Sequence, residues 1–235
     1  MDAKTAAAIW KDAYGEWSRS ENDARRSGRS ESESAMSFMK MLAVQIYWLK
    51  PRRNHAIADV GCGNGMFATV WAQMVKHLTL FDNVRQQLEH AREAVNYSGC
   101  EHALFIELDI AMTMNIYPRQ HNGVIVNGVL QSIPPNRLDF VIGNLKSMTK
   151  PGGGRVFLQG IPQGSKLAPV LARKIEEAAA AGRTKTIELY QSLVMYDPRV
   201  LRDRFNAAGF TPTIIDPPPW DPHHEEGFHL LAVRR

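Results

Sequence analysis

The segment Asp59-Val60-Gly61-Cys62-Gly63-Asn64-Gly65 constrains this chain more than any other. It follows an apolar run from His55 to Val60. After it, Phe67, Val70, Trp71, Met74 and Val75 recur at the spacing of one helix face. A buried strand, a turn of three alternate glycines and an amphipathic helix form the opening unit of a doubly wound α/β sheet. The glycines permit a tight turn and bring backbone N–H groups against a ligand. The start of the following helix adds partial positive charge that favours an anionic group. The spacing narrows the ligand further. A dinucleotide fold wants G-x-G-x-x-G, and Met66 stands where its third glycine would be. No Gly-Lys-Ser/Thr follows, which excludes a P-loop.

The alternation of strand and helix patterns continues downstream. Leu78 to Phe81 reads as a second strand, ending at Asp82. Val84, Leu88, Ala91 and Val95 line a helix that stops at Ser98-Gly99. Ala103 to Leu108 is a third strand, ending at Asp109, and Gly123 to Val129 a fourth. Leu138, Val141, Ile142, Leu145 and Met148 mark the inner face of the next helix. Lys150 to Gly154 is a turn, and Arg155 to Gln159 a fifth strand. Asp197-Pro198 predicts a helix cap and first position, with Gly209 closing that helix. Phe210 to Ile215 and Phe228 to Val233 complete the sheet. The expected organisation is a helical lead-in over 1–50 and a domain over 51–235, with a helical insertion at about 163–196. The lead-in divides into Ala6 to Trp17 and Ser37 to Leu49, separated by a break with six Ser between Ser18 and Met36. In the insertion, Leu167 to Ala181 is helical by composition.

Composition removes several classes. With 235 residues, 44% apolar and 22% charged, the chain is neither disordered nor too short for a sizeable core. Two thiols, Cys62 and Cys100, make no disulfide scaffold and fit a reducing compartment. No window approaches ~20 unbroken apolar residues, and Gln45 interrupts the nearest, Met41 to Leu49. Met1-Asp2-Ala3-Lys4 opens no basic-then-apolar leader. The expectation is a cytoplasmic chain with no membrane partner. Its 28 basic and 24 acidic residues leave a net charge of +4, dispersed along the sequence. Nucleic acid is not expected, because no basic stripe is interleaved with aromatics.

The glycine turn resembles motif I of the class I S-adenosylmethionine-dependent methyltransferases. The likeness covers roughly residues 54–160 and 197–235. Asp82, Asp109, Lys150-Pro151-Gly152-Gly153 and Asn206-Ala207-Ala208-Gly209-Phe210 all fall where that family has them. The resemblance implies a Rossmann-like sheet of seven strands in the order 3-2-1-4-5-7-6, the last antiparallel. It implies S-adenosylmethionine as cofactor and S-adenosylhomocysteine as product. Gly61, Gly63 and Gly65 would wrap the methionine moiety, with Asp59 reaching its amino end. Asp82 would hold the ribose, and Asn83 would flank the adenine. Asp109 would face the exocyclic amine with Ile110 packed on the ring, and Asn127 would lie near the transferring methyl.

The acceptor is read from the connections after the later strands. Asn127 is followed by Gly128, so the Asn-Pro-Pro-aromatic tetrapeptide of amino-group methylating enzymes is absent. Gly160-Ile161-Pro162 and the long insertion are similar to small-molecule methyltransferases, some bacterial surface-sugar enzymes included. The expected reaction is methyl transfer to a hydroxyl or amine of a small metabolite, such as a sugar or natural-product intermediate. A protein or RNA methyltransferase, or a non-catalytic cofactor-binding subunit, remains the alternative, and a homodimer is left open. A hydroxyl acceptor needs a base, and His223 and His224 are the candidates, since imidazole titrates near neutrality. Adjacent histidines cannot easily converge on one ion, so no metal is expected. Tyr190, Tyr196 and Trp10 are the candidate substrate residues. The lead-in and the insertion are candidate lids, and Cys62 reads as inert filler in preference to a reactive thiol.

Overall fold

The computed structural model describes residues 8, 31–98, 102–112, 120–160, 167–216 and 227–235. Its strands are β1 (Ala56–Val60), β2 (His77–Asp82), β3 (Ala103–Glu107), β4 (Gly123–Asn127), β5 (Arg155–Gly160), β6 (Phe210–Ile215) and β7 (Phe228–Arg234). They form one sheet in the order β3-β2-β1-β4-β5-β7-β6, the order that the resemblance implies. The first five run parallel, and β7 is antiparallel to both of its neighbours. A parallel sheet must be covered on both faces, and its strands are accordingly near-continuous apolar runs.

Side-chain alternation along each strand sends two different sets to two helical layers. Ala58, Val60, Phe81, Val126, Leu158 and Leu230 pack with helix α4 (Leu138–Met148) and helix α7 (Pro198–Ala207). Ile57, Leu78, Leu80, Ile125 and Phe157 pack with α1 (Glu31–Leu49), α2 (Ala68–Met74) and α3 (Arg85–Tyr97). The predicted inner face of α4 is buried at all five positions from Leu138 to Met148. Trp71 of α2 is fully buried, and its Nε1 donates to Gln45 Oε1 of α1 at 3.4 Å, so burial leaves the indole N–H satisfied. Asp197 caps α7, accepting from Arg199 N–H at 2.8 Å.

Two helices differ from the sequence expectation. Helix α1 already includes Glu31, inside the serine-rich break, because serine costs a helix only tenths of a kcal/mol. The insertion contains two helices, α5 (Leu167–Ala180) and α6 (Thr184–Ser192), where one was read. They pack against each other across a turn at Gly182. The segment after α6 is tied to the connection following β4. Val194 N–H donates to the Gln131 carbonyl at 2.8 Å, and the Tyr196 hydroxyl donates to the Ile133 carbonyl at 2.6 Å.

Candidate active site

The glycine turn hooks onto the end of β2. Gly61 N–H and Cys62 N–H both donate to the Phe81 carbonyl, at 2.7 and 3.0 Å. Gly61 and Gly65 sit at φ 71° and 77°, a region open to glycine and strained for other residues. Space forbids side chains at both positions. A Cβ at Gly61 would lie 2.2 Å from Val129 Cγ2, and one at Gly65 would lie 2.7 Å from the Ala91 backbone. Gly65 thus does the close-packing work that a dinucleotide turn gives to its third glycine, one position earlier. At Gly63 the opposite holds: nothing described lies within 4 Å of a Cβ, and the tip of the turn faces open space. Helix α2, which follows, has only seven residues and no side-chain cap, so it adds little dipole to the site.

Asp82 ends β2 and braces the turn. Its Oδ2 accepts from Gly63 N–H at 2.8 Å and its Oδ1 from Val84 N–H at 2.9 Å. Asp59 lies buried beneath, and burial together with the neighbouring Asp82 charge pushes its carboxyl up to about 7. Cys62 is buried beside them. Burial, followed by the Asp59 and Asp82 charges, pushes its thiol well up, away from the reactive thiolate form.

Beyond β3, Asp109 Oδ1 accepts from Ala111 N–H at 2.8 Å, and burial raises its carboxyl despite nearby Arg137. Asn144 of α4 donates to the Ile110 carbonyl at 2.9 Å, and Arg137 Nε donates to the Ala111 carbonyl at 2.8 Å. Ile110 is buried in the core cluster below this turn. Asn83 and Asn127 are half-buried at the carboxyl ends of β2 and β4.

Strand register assembles a polar row that the sequence reading misses. Asp82 pairs with Glu107, Asn127 with Gln159, and Gln159 with His229, all at the carboxyl ends of the parallel strands. Gln159 and His229 are buried, and burial holds the His229 imidazole down at about 4. Each is a polar interruption of an otherwise apolar strand, and that interruption is the signal in the sequence. On the same side, Phe38 of α1 stacks on Phe67, two residues past the glycine turn, with ring centroids 4.8 Å apart. The later part of the lead-in therefore lies against the turn.

The remaining candidates are scattered. Tyr196 is buried in the core cluster with its hydroxyl committed to Ile133, and burial pushes its phenol up to about 12. Tyr190 is half-buried on α6, with Lys174 Nζ 5.8 Å from its ring centroid. Trp10, His223 and His224 lie outside the described residues. Among the described residues no group of His, Cys, Asp or Glu could hold a metal ion, and no helix is long and apolar enough to cross a membrane.

A seven-stranded sheet of this order, with a glycine turn after β1 and carboxylates at the ends of β1 and β2, defines the class I methyltransferase fold. A methyltransferase-domain family model matches residues 57–153, the stretch that carries the turn and both carboxylates. Over that stretch the chain is similar to the methyltransferase-domain family, and its sheet as a whole has the class I S-adenosylmethionine-dependent methyltransferase fold. Solved structures of similar fold include magnesium protoporphyrin IX methyltransferase from Synechocystis PCC 6803 with bound SAM. That match has a TM-score of 0.67 and 16% identity, covering 98% of this chain and 97% of that one. The N-methyltransferase NodS from Bradyrhizobium japonicum WM9 matches with a TM-score of 0.58 and 13% identity, over 87% of this chain and 98% of its own. No curated protein matches by sequence.

Proposed function

We propose that the chain transfers the methyl group of S-adenosylmethionine to a hydroxyl or amine of a small metabolite, a sugar or natural-product intermediate. The observation that carries this reading is the turn Gly61–Gly65, braced by Asp82, with Asp59 beneath it and open space at Gly63. These residues fit the cofactor. The tip of the turn, with no side chain at Gly63 and open space beside it, admits the methionine end, and Asp82 is a charged acceptor for ribose hydroxyls. Asp59, poised near neutrality, ionises readily beside an ammonium group, since an opposite charge lowers a carboxyl pKa. Asn83, Asp109 and Ile110 flank the adenine, and Asn127 stands nearest the transfer.

When bound, the cofactor supplies a methyl group already activated by the positive sulfonium. The chain's own task is alignment, exclusion of water and removal of a proton from the acceptor. Alignment falls to the polar row from Asn127 through Gln159 to His229. Exclusion of water falls to α1, whose Phe38 stacks on Phe67 just past the turn, and to the insertion α5–α6. The proton goes to His223 or His224, on the connection that leaves β6 and re-enters β7 at the level of Gln159. Substrate contacts fall to Trp10 and Tyr190, with Tyr196 holding the connection after β4 in place. The two thiols of the sequence fit a reducing compartment, and the reaction is placed in the cytoplasm.

Incubation with a methyl-labelled donor and fractionated cell extract tests the proposal. Label is expected in the small-molecule fraction. Label confined to protein or RNA, or consumed in neither, would overturn it. His223→Ala and His224→Ala are expected to lower turnover at unchanged cofactor affinity.

A further inference from the structure

Basic residues that the sequence scatters converge at the amino end of the sheet, opposite the candidate active site. Three arginines there are structural. Arg155 donates to the Trp48 carbonyl at 2.6 Å, Arg234 to the Lys146 carbonyl at 2.6 Å, and Arg235 to the Asn206 carbonyl at 2.9 Å. They close the carboxyl ends of α1, α4 and α7, where cations complement the helix dipole. Five further cations have no such duty. Lys50, Arg52, Arg53, Lys76 and Lys150 are exposed and make no side-chain hydrogen bond or ion pair with described residues. The described connections at this end, over 50–55, 75–76, 120–122 and 149–154, contain no Asp or Glu.

The backbone holds these charges at one level. The His55 carbonyl accepts from Lys76 N–H at 3.0 Å, and His55 N–H donates to the Arg52 carbonyl at 2.9 Å. Lys150 N–H donates to the His121 carbonyl at 2.8 Å, beside Asn122, whose N–H reaches Ala56. The connections before β1, β2 and β5 are thereby laced together. Arg52, Lys150 and Arg155 all stand close enough to add to the effect of burial in lowering the His55 imidazole. Two tyrosines occupy the same end. Tyr97, the last residue of α3, is 96% exposed, and Tyr47, in the last turn of α1, is 66% exposed. They are the most exposed large apolar side chains among the described residues. Trp48 meets Tyr47 edge-on with centroids 4.9 Å apart.

We propose that this end of the sheet docks on the surface of an anionic lipid bilayer, with Tyr47 and Tyr97 in the headgroup layer and the five cations against lipid phosphates. Tyrosine beside lysine and arginine is the composition that a bilayer interface selects. The charges span the starts of β2, β1 and β5, three strand spacings in the order β2-β1-β4-β5, or about 15 Å at ~4.8 Å each. A row of strand starts at one level suits a flat partner. A single nucleic-acid strand is instead tracked by a basic groove lined with stacking aromatics. Docking here leaves the carboxyl end facing away from the bilayer, so the contact stands independently of the methyl-transfer reading. It is peripheral, in keeping with the absence of a membrane-crossing helix among the described residues.

Flotation of the full chain with vesicles tests this, using phosphatidylcholine alone or mixed with phosphatidylserine. Recovery is expected with the mixed vesicles only, and added salt should release the protein. Replacing Arg52→Gln, Arg53→Gln and Lys76→Gln together should lower partitioning by about a hundredfold, since each basic residue near such a surface contributes a factor of about five. Tyr97→Ala should lower it less. Unchanged melting temperatures confirm that both variants are folded. Failure of the wild type to float, or equal flotation of the triple variant, would overturn the proposal. So would tighter binding to a single-stranded oligonucleotide than to mixed vesicles, which would assign this end to nucleic acid.

Discussion

At their carboxyl ends the parallel strands run into a glycine turn, buried carboxylates and the row Asn127, Gln159 and His229. At their amino ends they start from short connections laced by backbone hydrogen bonds and ringed by cations. The two ends differ in what they cost the fold. At the carboxyl end Asp59 and His229 are buried with their charged forms disfavoured, so this end is less stable than its packing permits. At the amino end several polar groups are matched, His55 Nδ1 being the buried exception. Asn122 Oδ1 accepts from Ala56 N–H at 3.0 Å. His121 presents Nδ1 to the Met148 carbonyl at 3.2 Å and Nε2 to Thr79 Oγ1 at 3.0 Å. A carbonyl only accepts, so Nδ1 carries the proton and Nε2 takes the threonine hydroxyl. Stability is given up at the candidate cofactor site and regained at the opposite end of the sheet, the expected division for a site with preorganised charge.

Substitutions at the two ends should therefore separate binding from stability. The largest effect belongs to Gly65→Ala, which forces a methyl to 2.7 Å from the Ala91 backbone at a positive φ. Overpacking and backbone strain together cost about 3 kcal/mol, a fall of roughly 10 °C in melting temperature on a chain of this size, with S-adenosylhomocysteine binding lost. Asp82→Ala removes both the ribose acceptor and the brace on Gly63. Calorimetry should show affinity weakened by about 10- to 150-fold, the equivalent of roughly 1.5–3 kcal/mol.

Asp59→Asn should split the two properties. A carboxyl raised to about 7 in the folded chain, against 3.8 unfolded, holds extra protons when folded, so wild-type stability falls as pH rises through that window. The variant lacks this loss. It should melt higher than the wild type above pH ~7, lose the advantage below pH ~4, and bind S-adenosylhomocysteine less tightly. His229 works in the other direction. Its imidazole is held down at about 4, so the unfolded chain takes the proton first and stability falls as pH drops below about 6.5. His229→Gln should flatten that acid limb in thermal scans. The smallest effect is expected at the amino end, where Asn122→Ala should cost about 1 kcal/mol of stability and leave ligand affinity unchanged.

What the sequence makes legible is what local pattern controls. The turn Asp59–Gly65, the five inward positions of α4 and the Asp197-Pro198 cap are all short-range signals, and each appears where expected. The reach of α1 into the serine-rich break and the second helix of the insertion are not legible, because weak propensities there leave the pattern open. Gln159 and His229 escaped notice because their proximity to Asn127 depends on pairing among β4, β5 and β7, which residue spacing does not contain. The cations of the amino end are likewise dispersed in sequence, from Lys50 to Lys150, and meet only through strand order.

Titration calorimetry of the full chain with S-adenosylhomocysteine, repeated with NAD, tests the central assignment most directly. A one-to-one isotherm with S-adenosylhomocysteine, none with NAD, and strong weakening in Asp82→Ala are the expected results. Absence of S-adenosylhomocysteine binding by the wild type, or undiminished affinity in Asp82→Ala, would contradict the assignment of the carboxyl end as the cofactor site.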